Sequence, residues 1–224
     1  MSTPINCYIT VFEQVRWLRP LVDDVVRLGL RPVLVVNGCE LPDLADYLEV
    51  TPDEVIHMGH NGGPHVLFNS WWHLRESGYY VVTDSDLDLS GVPGDAVERL
   101  QFALDCNPDV AKAGISLEID DVPADYRLRD TVLAYERQHW ERPVPGGAFA
   151  SQIDTTFALY DGRREAIRSE RFYSAVRLDR PYTARHLPWY VDVGNVDAEL
   201  RHHFERCDGL SMYGQRIGKI LRGE

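Results

Sequence analysis

In the first 90 residues, the spacing of the hydrophobic positions changes repeatedly between a pattern typical of β-strands and one typical of α-helices. Short apolar runs rich in β-branched and aromatic residues predict buried strands, and they lie at 5–12, 31–38, 53–59 and 79–83. Apolar residues at helical spacing predict a helix over 14–28, which Gly29 closes. A Gly-rich loop after the third strand leads into another helix, with Pro64 in its first turn. This βαβ order predicts parallel strands covered by helices.

The pattern becomes less regular after residue 90. Helices are predicted over 93–105 and 129–143, strands over 110–120 and 153–160, and a loop over 143–150. From residue 161 onward, charged and aromatic residues follow with weak periodicity. The predicted fold class is therefore α/β, with a mostly parallel sheet flanked by helices and a less regular C-terminal third. No linker or repeat divides the chain, so we expect a single domain over 1–224.

Composition narrows the functional classes. The chain has 224 residues, 44% of them hydrophobic, and a formal net charge of −12, which argues against nucleic acid as the main partner. Four cysteines are spread singly, a pattern that fits a reducing compartment and predicts a cytoplasmic protein. No apolar run approaches the roughly 18 residues that predict a transmembrane segment.

Three carboxylates follow the fourth predicted strand directly, in the sequence YYVVTDSDLDLS. Asp84 and Asp86 are two residues apart, so their side chains can point to the same side. Two close carboxylates repel each other unless a cation lies near them, and oxygen ligands suit Mg²⁺ or Mn²⁺. The alternative is that they are ordinary loop acids or helix caps. In parallel sheets, ligands gather at the carboxyl ends of strands, where this pair lies.

The segment YVVTDSDLDL, preceded by the NGGP loop and a helix, resembles the DxD region of GT-A fold glycosyltransferases, especially family-2-like enzymes. The resemblance implies a Rossmann-like fold with a nucleotide-sugar-binding half at 1–110 and an acceptor-binding half at 111–224. It implies that Asp84 and Asp86 bind Mn²⁺ or Mg²⁺, with Asp86 making the closest contact. Asp88 lies outside the motif and is expected to orient the turn.

The resemblance also implies roles for residues at other strand ends. Thr10, Phe12 and Asn37 would line the nucleotide base and ribose. Family members often have an Asp near this position that pairs with uracil. That Asp is absent near Asn37, so the resemblance does not specify the nucleotide base. A C-terminal His186 would supply a third metal ligand, and Arg185 would contact the departing diphosphate. The alternative for His186 is a packing role.

Asp154 is the predicted catalytic base, which would take the proton of the acceptor hydroxyl. The sequence IDTTFALY places it at the start of a predicted strand, where an Asp also commonly bonds the next backbone amides. The alternative candidates for this base are Glu118, Asp120 and Asp121.

Other motifs carry less weight. His57, His60 and His65 lie around a loop without the spacing of a zinc site. The chain contains no GxGxxG, Walker A or GxSxG motif. The basic segment 211–224 predicts either a terminal helix docked on the body or a helix that binds a membrane surface.

We therefore predict a metal-dependent glycosyltransferase. It would move a sugar from a nucleoside diphosphate sugar to a carbohydrate or other hydroxyl acceptor, which a lipid could carry, and inversion is expected over retention. One alternative is a nucleotidyltransferase that makes the sugar nucleotide, although TVFEQVRW lacks the Gly-rich phosphate loop of such enzymes. The other is a non-catalytic relative that binds a nucleotide sugar.

Overall fold

The computed structural model describes residues 4–70, 76–164, 167, 170–207 and 212–224. Its helices are α1 (Leu18–Arg27), α2 (Pro42–Val50), α3 (Val66–Asn69), α4 (Ala96–Cys106), α5 (Arg129–Glu136), α6 (Ala198–Arg206) and α7 (Met212–Arg222). The helix predicted after Pro64 corresponds to α3, and its continuation into 71–75 lies outside the described residues. Helix α1 begins later than predicted, so that Pro20 falls in its first turn, where a missing N–H breaks no helical bond.

The strands of the first half are β1 (Asn6–Val11), β2 (Arg31–Val36), β3 (Glu54–His57), β4 (Tyr79–Asp84) and β5 (Leu87–Asp88). Those of the second half are β6 (Lys112–Gly114), β7 (Ser116–Leu117), β8 (Pro143–Val144), β9 (Ala148–Gln152), β10 (Ala158–Asp161), β11 (Ser174–Leu178) and β12 (Thr183–His186). Within the described residues, nine of them form one sheet in the order β3-β2-β1-β4-β10-β6-β11-β9-β8, and β5-β12-β7 form a smaller one.

The predicted α/β class, with a large sheet flanked by helices, is confirmed. Strands β1 to β4 are mutually parallel, as predicted. In the second half the directions are mixed, because β10 runs antiparallel to both β4 and β6, whereas β11 is parallel to β6. Side chains alternate between two cores along β1: Cys7 and Ile9 pack with α1 and α4, whereas Tyr8 packs on the opposite face with α3.

Several second-half elements differ from the prediction. The predicted loop at 143–150 contains the β8–β9 hairpin, whose turn uses Gly146 and Gly147 at φ 90° and 68°. The strand predicted over 153–160 begins only at Ala158, so residues 153–157 are a loop. Strands β11 and β12 were not predicted, because five- and four-residue strands among charged residues leave little periodicity to detect.

The C-terminal helix α7 packs against α6. Ile217 is fully buried in a cluster with Trp17, Leu200 and Phe204, which fits the docked alternative for this segment. In the described part of the chain, no helix is long and apolar enough to cross a membrane.

Candidate active site

A cavity of about 380 Å³ opens at the carboxyl ends of β1, β2 and β4. Thr10, Asn37, Asp84 and Asp86 line it, as does His186 from β12. The strand register explains part of this grouping, because Thr10 pairs directly with Asp84 across the parallel β1–β4 ladder. The structure thus brings the predicted DxD pair to the place where ligands gather in parallel sheets.

His186 reaches this cavity through the small sheet. The β12–β5 pairing sets it opposite Leu87, and the Leu187 amide donates to the Asp86 carbonyl at 2.8 Å. Its Nε2 lies 3.3 Å from Asp86 Oδ2. Burial alone would raise the pKa of Asp86, but the adjacent imidazolium outweighs it and lowers that pKa. The carboxylate in turn raises the pKa of His186 against the opposing effect of burial. The two residues therefore form an ion pair.

Asp84 lies in a different electrostatic environment. Burial, together with repulsion from Asp86 and Asp154, raises the pKa of Asp84 to about 8. Thr155 partly offsets this effect, because its hydroxyl donates to Asp84 Oδ2 at 2.7 Å. Asp84, Asp86 and Asp154 thus repel one another when all three are ionised. A proton on Asp84, or a cation nearby, would relieve this repulsion.

We expect Asp84→Asn to remove a pH dependence of stability. A carboxyl whose pKa is raised by folding stabilises the folded state fully below its ordinary pKa, and that contribution is lost as pH rises through the folded value. For Asp84 the window runs from about 3.8 to about 8. Metal-free wild-type protein should therefore lose stability relative to Asp84→Asn as pH rises through this window. Unfolding of both proteins with EDTA at each pH measures the difference, and a constant difference would mean that Asp84 ionises normally.

The predicted ligand set of Asp84, Asp86 and His186 lines one cavity but does not form a three-ligand sphere. Within the described residues, no three His, Cys, Asp or Glu side chains are arranged to hold a metal ion. His186 Nε2 instead lies 3.3 Å from Asp86 Oδ2, and an imidazole that is protonated there has no lone pair for a metal. The structure places His186 as the counter-ion of Asp86.

The two carboxylates nevertheless suit a hard divalent cation. Asp86 Oδ1 is buried and accepts no hydrogen bond from any residue that the structure describes. The raised pKa of Asp84 means that a nearby cation would favour its ionised form over the protonated one. Mg²⁺ is commonly bound through one or two carboxylates, with its other positions filled by phosphate oxygens and water. Asp84 and Asp86 therefore fit such an ion, and His186 does not need to ligate it.

Asn37 lines the cavity, but its side chain is already engaged. It is buried, its Nδ2 donates to the Gly63 carbonyl at 2.9 Å, and its Oδ1 accepts from the Gly62 amide at 2.6 Å. Asn37 therefore holds the 61–64 loop at the cavity edge. Phe12 also lines the cavity, and its carbonyl accepts a hydrogen bond from His203 Nδ1 at 3.0 Å.

The structure does not bring Arg185 to the cavity. Its Nε donates to Asp121 Oδ2 at 2.6 Å, and Nη1 lies 3.5 Å from Asp88 Oδ2. Asp88 also accepts from the Ser90 amide, so it orients the turn as expected. Because Arg185 and His186 are neighbours on one strand, their side chains point to opposite faces. The diphosphate contact predicted for Arg185 therefore has no geometric support.

Asp154 lines the same cavity from the 153–157 loop and is exposed. Its Oδ1 accepts from the Thr155 amide at 2.8 Å, the local bond that the sequence offered as an alternative. The loop packs closely on β6, where a Cβ at Gly114 would lie 2.5 Å from Ile153 Cδ1. Lys112 on the same strand donates from Nζ to the Asp154 carbonyl at 3.1 Å. The local bond therefore does not remove Asp154 from the site, since the residue is exposed and lines the cavity.

Sequence reasoning missed several residues that line the cavity, chiefly Glu136, Arg177 and His203. Glu136 and Arg177 form a buried ion pair, with Arg177 Nη1 3.0 Å from Glu136 Oε2. A lone arginine within the apolar strand SAVRL was the available signal for Arg177. Glu136 and His203 lie on helices without a distinguishing pattern.

Comparison with known proteins gives matches in structure alone. No family model matches the chain, and no curated protein matches its sequence. The chain is similar to glucosyl-3-phosphoglycerate synthase from Mycobacterium tuberculosis in complex with phosphoglyceric acid, with 13% identity and a TM-score of 0.44 over 71% of this chain and 57% of that one. A structure of the same synthase with Mn²⁺ and UDP-glucose matches with 14% identity and a TM-score of 0.44, over 71% and 56% of the two chains.

A third neighbour is a hypothetical transferase structure from Thermus thermophilus, with 15% identity and a TM-score of 0.33 over 71% of this chain and 66% of that one. The chain spans little more than half the length of the two synthase structures. The synthase neighbours are glycosyltransferases.

Proposed function

We propose that this protein is a glycosyltransferase that uses a nucleoside diphosphate sugar and a divalent cation. The observation that carries the proposal is the Asp84–Asp86 pair, which ends β4 inside a cavity at the carboxyl ends of three parallel strands. One oxygen of this pair is buried without a partner among the described residues, and burial beside other carboxylates raises the pKa of Asp84 to about 8. Both features support a divalent cation, which Asp84 and Asp86 would hold and which would offset the charge of a diphosphate.

The donor would lie across the strand ends. Thr10 and Phe12 from the end of β1, and the loop that Asn37 holds, border the space for the base and ribose. Asp86 and Asp84 would hold Mn²⁺ or Mg²⁺, which supplies neutralisation of the charge that develops on the leaving diphosphate. The His186 imidazolium holds the Asp86 carboxylate in position. It would also add positive charge near the leaving diphosphate.

The transfer itself would be a single displacement. The acceptor hydroxyl oxygen forms a bond to the anomeric carbon while the bond from that carbon to the diphosphate oxygen breaks, and its electron pair leaves with the diphosphate. The hydroxyl proton passes to the Asp154 carboxylate. Thr155 links the two halves of this arrangement, because its amide binds Asp154 and its hydroxyl binds Asp84. In-line attack with inversion is the outcome we propose.

Calorimetry with UDP, GDP, dTDP and CDP, each with and without Mn²⁺, tests this function. We expect one nucleotide to bind in a Mn²⁺-dependent manner. Failure of all four to bind in the presence of Mn²⁺ or Mg²⁺ would overturn the proposal. Binding that is equally tight with EDTA would overturn its metal dependence.

A further inference from the structure

Two tyrosines that line the cavity are also exposed to solvent. Tyr135 on α5 is 47% exposed, and Tyr173 before β11 is 48% exposed. In the described part of the chain, five large apolar side chains are exposed, and these two line the cavity. Exposed aromatic rings beside a cavity provide a flat, apolar surface for a ligand, with a hydroxyl at the edge.

Neighbouring rings hold the two tyrosines in place. The Tyr173 ring makes edge contacts with His65, at a centroid distance of 6.1 Å, and with Phe172, at 5.2 Å. The Tyr135 ring makes an edge contact with His139 at 5.3 Å. A ligand that packs on these rings therefore meets a surface that is already ordered, which lowers the entropic cost of binding.

The polar groups beside the tyrosines are charged but balanced. Glu136 follows Tyr135 directly, and its carboxylate pairs with Arg177. The guanidinium also donates from Nε and Nη2 to the Gln152 carbonyl, at 3.2 and 2.9 Å. Because the charge of Arg177 is matched by Glu136, this buried pair adds no net charge to the cavity lining.

The charge of the cavity lining around Tyr135 and Tyr173 favours neutral acceptors over anionic ones. Asp154 adds a carboxylate to the balanced Glu136–Arg177 pair, so the charged side chains that line the cavity where the acceptor would lie are net negative. The nearest cation beneath them, Lys112, is fully buried, does not line the cavity, and donates to the Asp154 carbonyl and the Tyr160 hydroxyl. An acceptor that carries a phosphate or carboxylate would be repelled here. A neutral polyol finds both hydrogen-bond donors and acceptors, and the rings suit the apolar face of a sugar.

We propose that the acceptor is a neutral hexopyranose unit, which packs on Tyr135 and Tyr173 and places one hydroxyl at Asp154. This inference rests on the proposed function, since it assigns the acceptor of the same reaction. It adds a substrate class that the DxD pair does not specify.

Saturation-transfer NMR tests the inference without turnover. The probes are the methyl α- and β-pyranosides of glucose, galactose and mannose, compared with glucuronate, glucose 6-phosphate and 3-phosphoglycerate. They are added to protein loaded with Mg²⁺, which is diamagnetic, and the nucleoside diphosphate that binds. We expect transfer to the ring protons of at least one neutral pyranoside and none to the anionic probes. Tyr135→Ala and Tyr173→Ala should each weaken its binding by about three- to tenfold.

Phe102→Ala is the matched control, because Phe102 is 50% exposed on α4 and does not line the cavity. This variant should bind as the wild type does, and Tyr173→Phe, which keeps the ring, should retain binding. Retained nucleotide binding shows that each variant is folded. Nucleotide binding without neutral-sugar binding, or with a preference for the anionic probes, would overturn the acceptor inference alone. Sugar binding without nucleotide binding would overturn the proposed function instead.

Discussion

Asp86→Ala is expected to abolish the Mn²⁺-dependent part of nucleotide binding. The substitution removes the buried carboxylate oxygen that has no partner among the described residues, together with the counter-ion of His186. A divalent cation contributes several kcal/mol to the binding of a diphosphate, so Kd should rise about 100-fold or more. Calorimetric titration of the nucleotide at fixed Mn²⁺ measures this loss, and the same titration in EDTA should no longer distinguish the variant from the wild type.

Asp88→Ala is the control for this experiment. Asp88 is an aspartate two residues further on, but it binds the Ser90 amide and Arg185 outside the cavity. Because an exposed ion pair contributes little, nucleotide affinity should change by no more than about twofold. Equal losses in the two variants would mean that the effect comes from the turn and not from the metal. Unchanged affinity in Asp86→Ala would remove Asp86 as a ligand.

Asp154→Asn should slow transfer while leaving donor binding intact. The amide keeps the oxygen that accepts from the Thr155 backbone, so the loop should hold its conformation. It cannot take the acceptor proton, and loss of a general base commonly costs about 10²- to 10⁴-fold in rate. Release of free sugar from the donor, with water as acceptor, measures the rate before the true acceptor is identified.

Asp120→Asn distinguishes the rival acids of the 118–121 segment. Asp120 is exposed and pairs with Arg180, and it does not line the cavity. Its substitution should leave the hydrolysis rate unchanged. A normal rate in Asp154→Asn would exclude Asp154 as the base, and a slow rate in Asp120→Asn would point to the rival set.

The first half of the fold could be predicted because its signals are local. Strand β4 is an uninterrupted apolar run followed at once by the acidic pair, so sequence alone locates both the strand and the end that carries Asp84. Parallel strands then bring Thr10 beside that residue. The positions of these side chains follow from strand order without knowledge of distant contacts.

The second half could not be predicted in the same way, because its site depends on distant pairings. Glu136 and Arg177 are 41 residues apart, and no local pattern pairs them. The position of Arg185 outside the cavity could not be predicted for a related reason. Once β12 is recognised as a strand, adjacent residues must face opposite sides, so Arg185 and His186 cannot both line one cavity.

The β4–β10 ladder also limits how the protein can close around a substrate. It joins the parallel first half of the sheet to the second half through the register Ala158↔Val82 to Asp161↔Tyr79. A hinge between the two halves would have to break these backbone hydrogen bonds in the middle of a continuous sheet. Closure is therefore expected in the loops at the cavity rim, with the two halves of the sheet moving together.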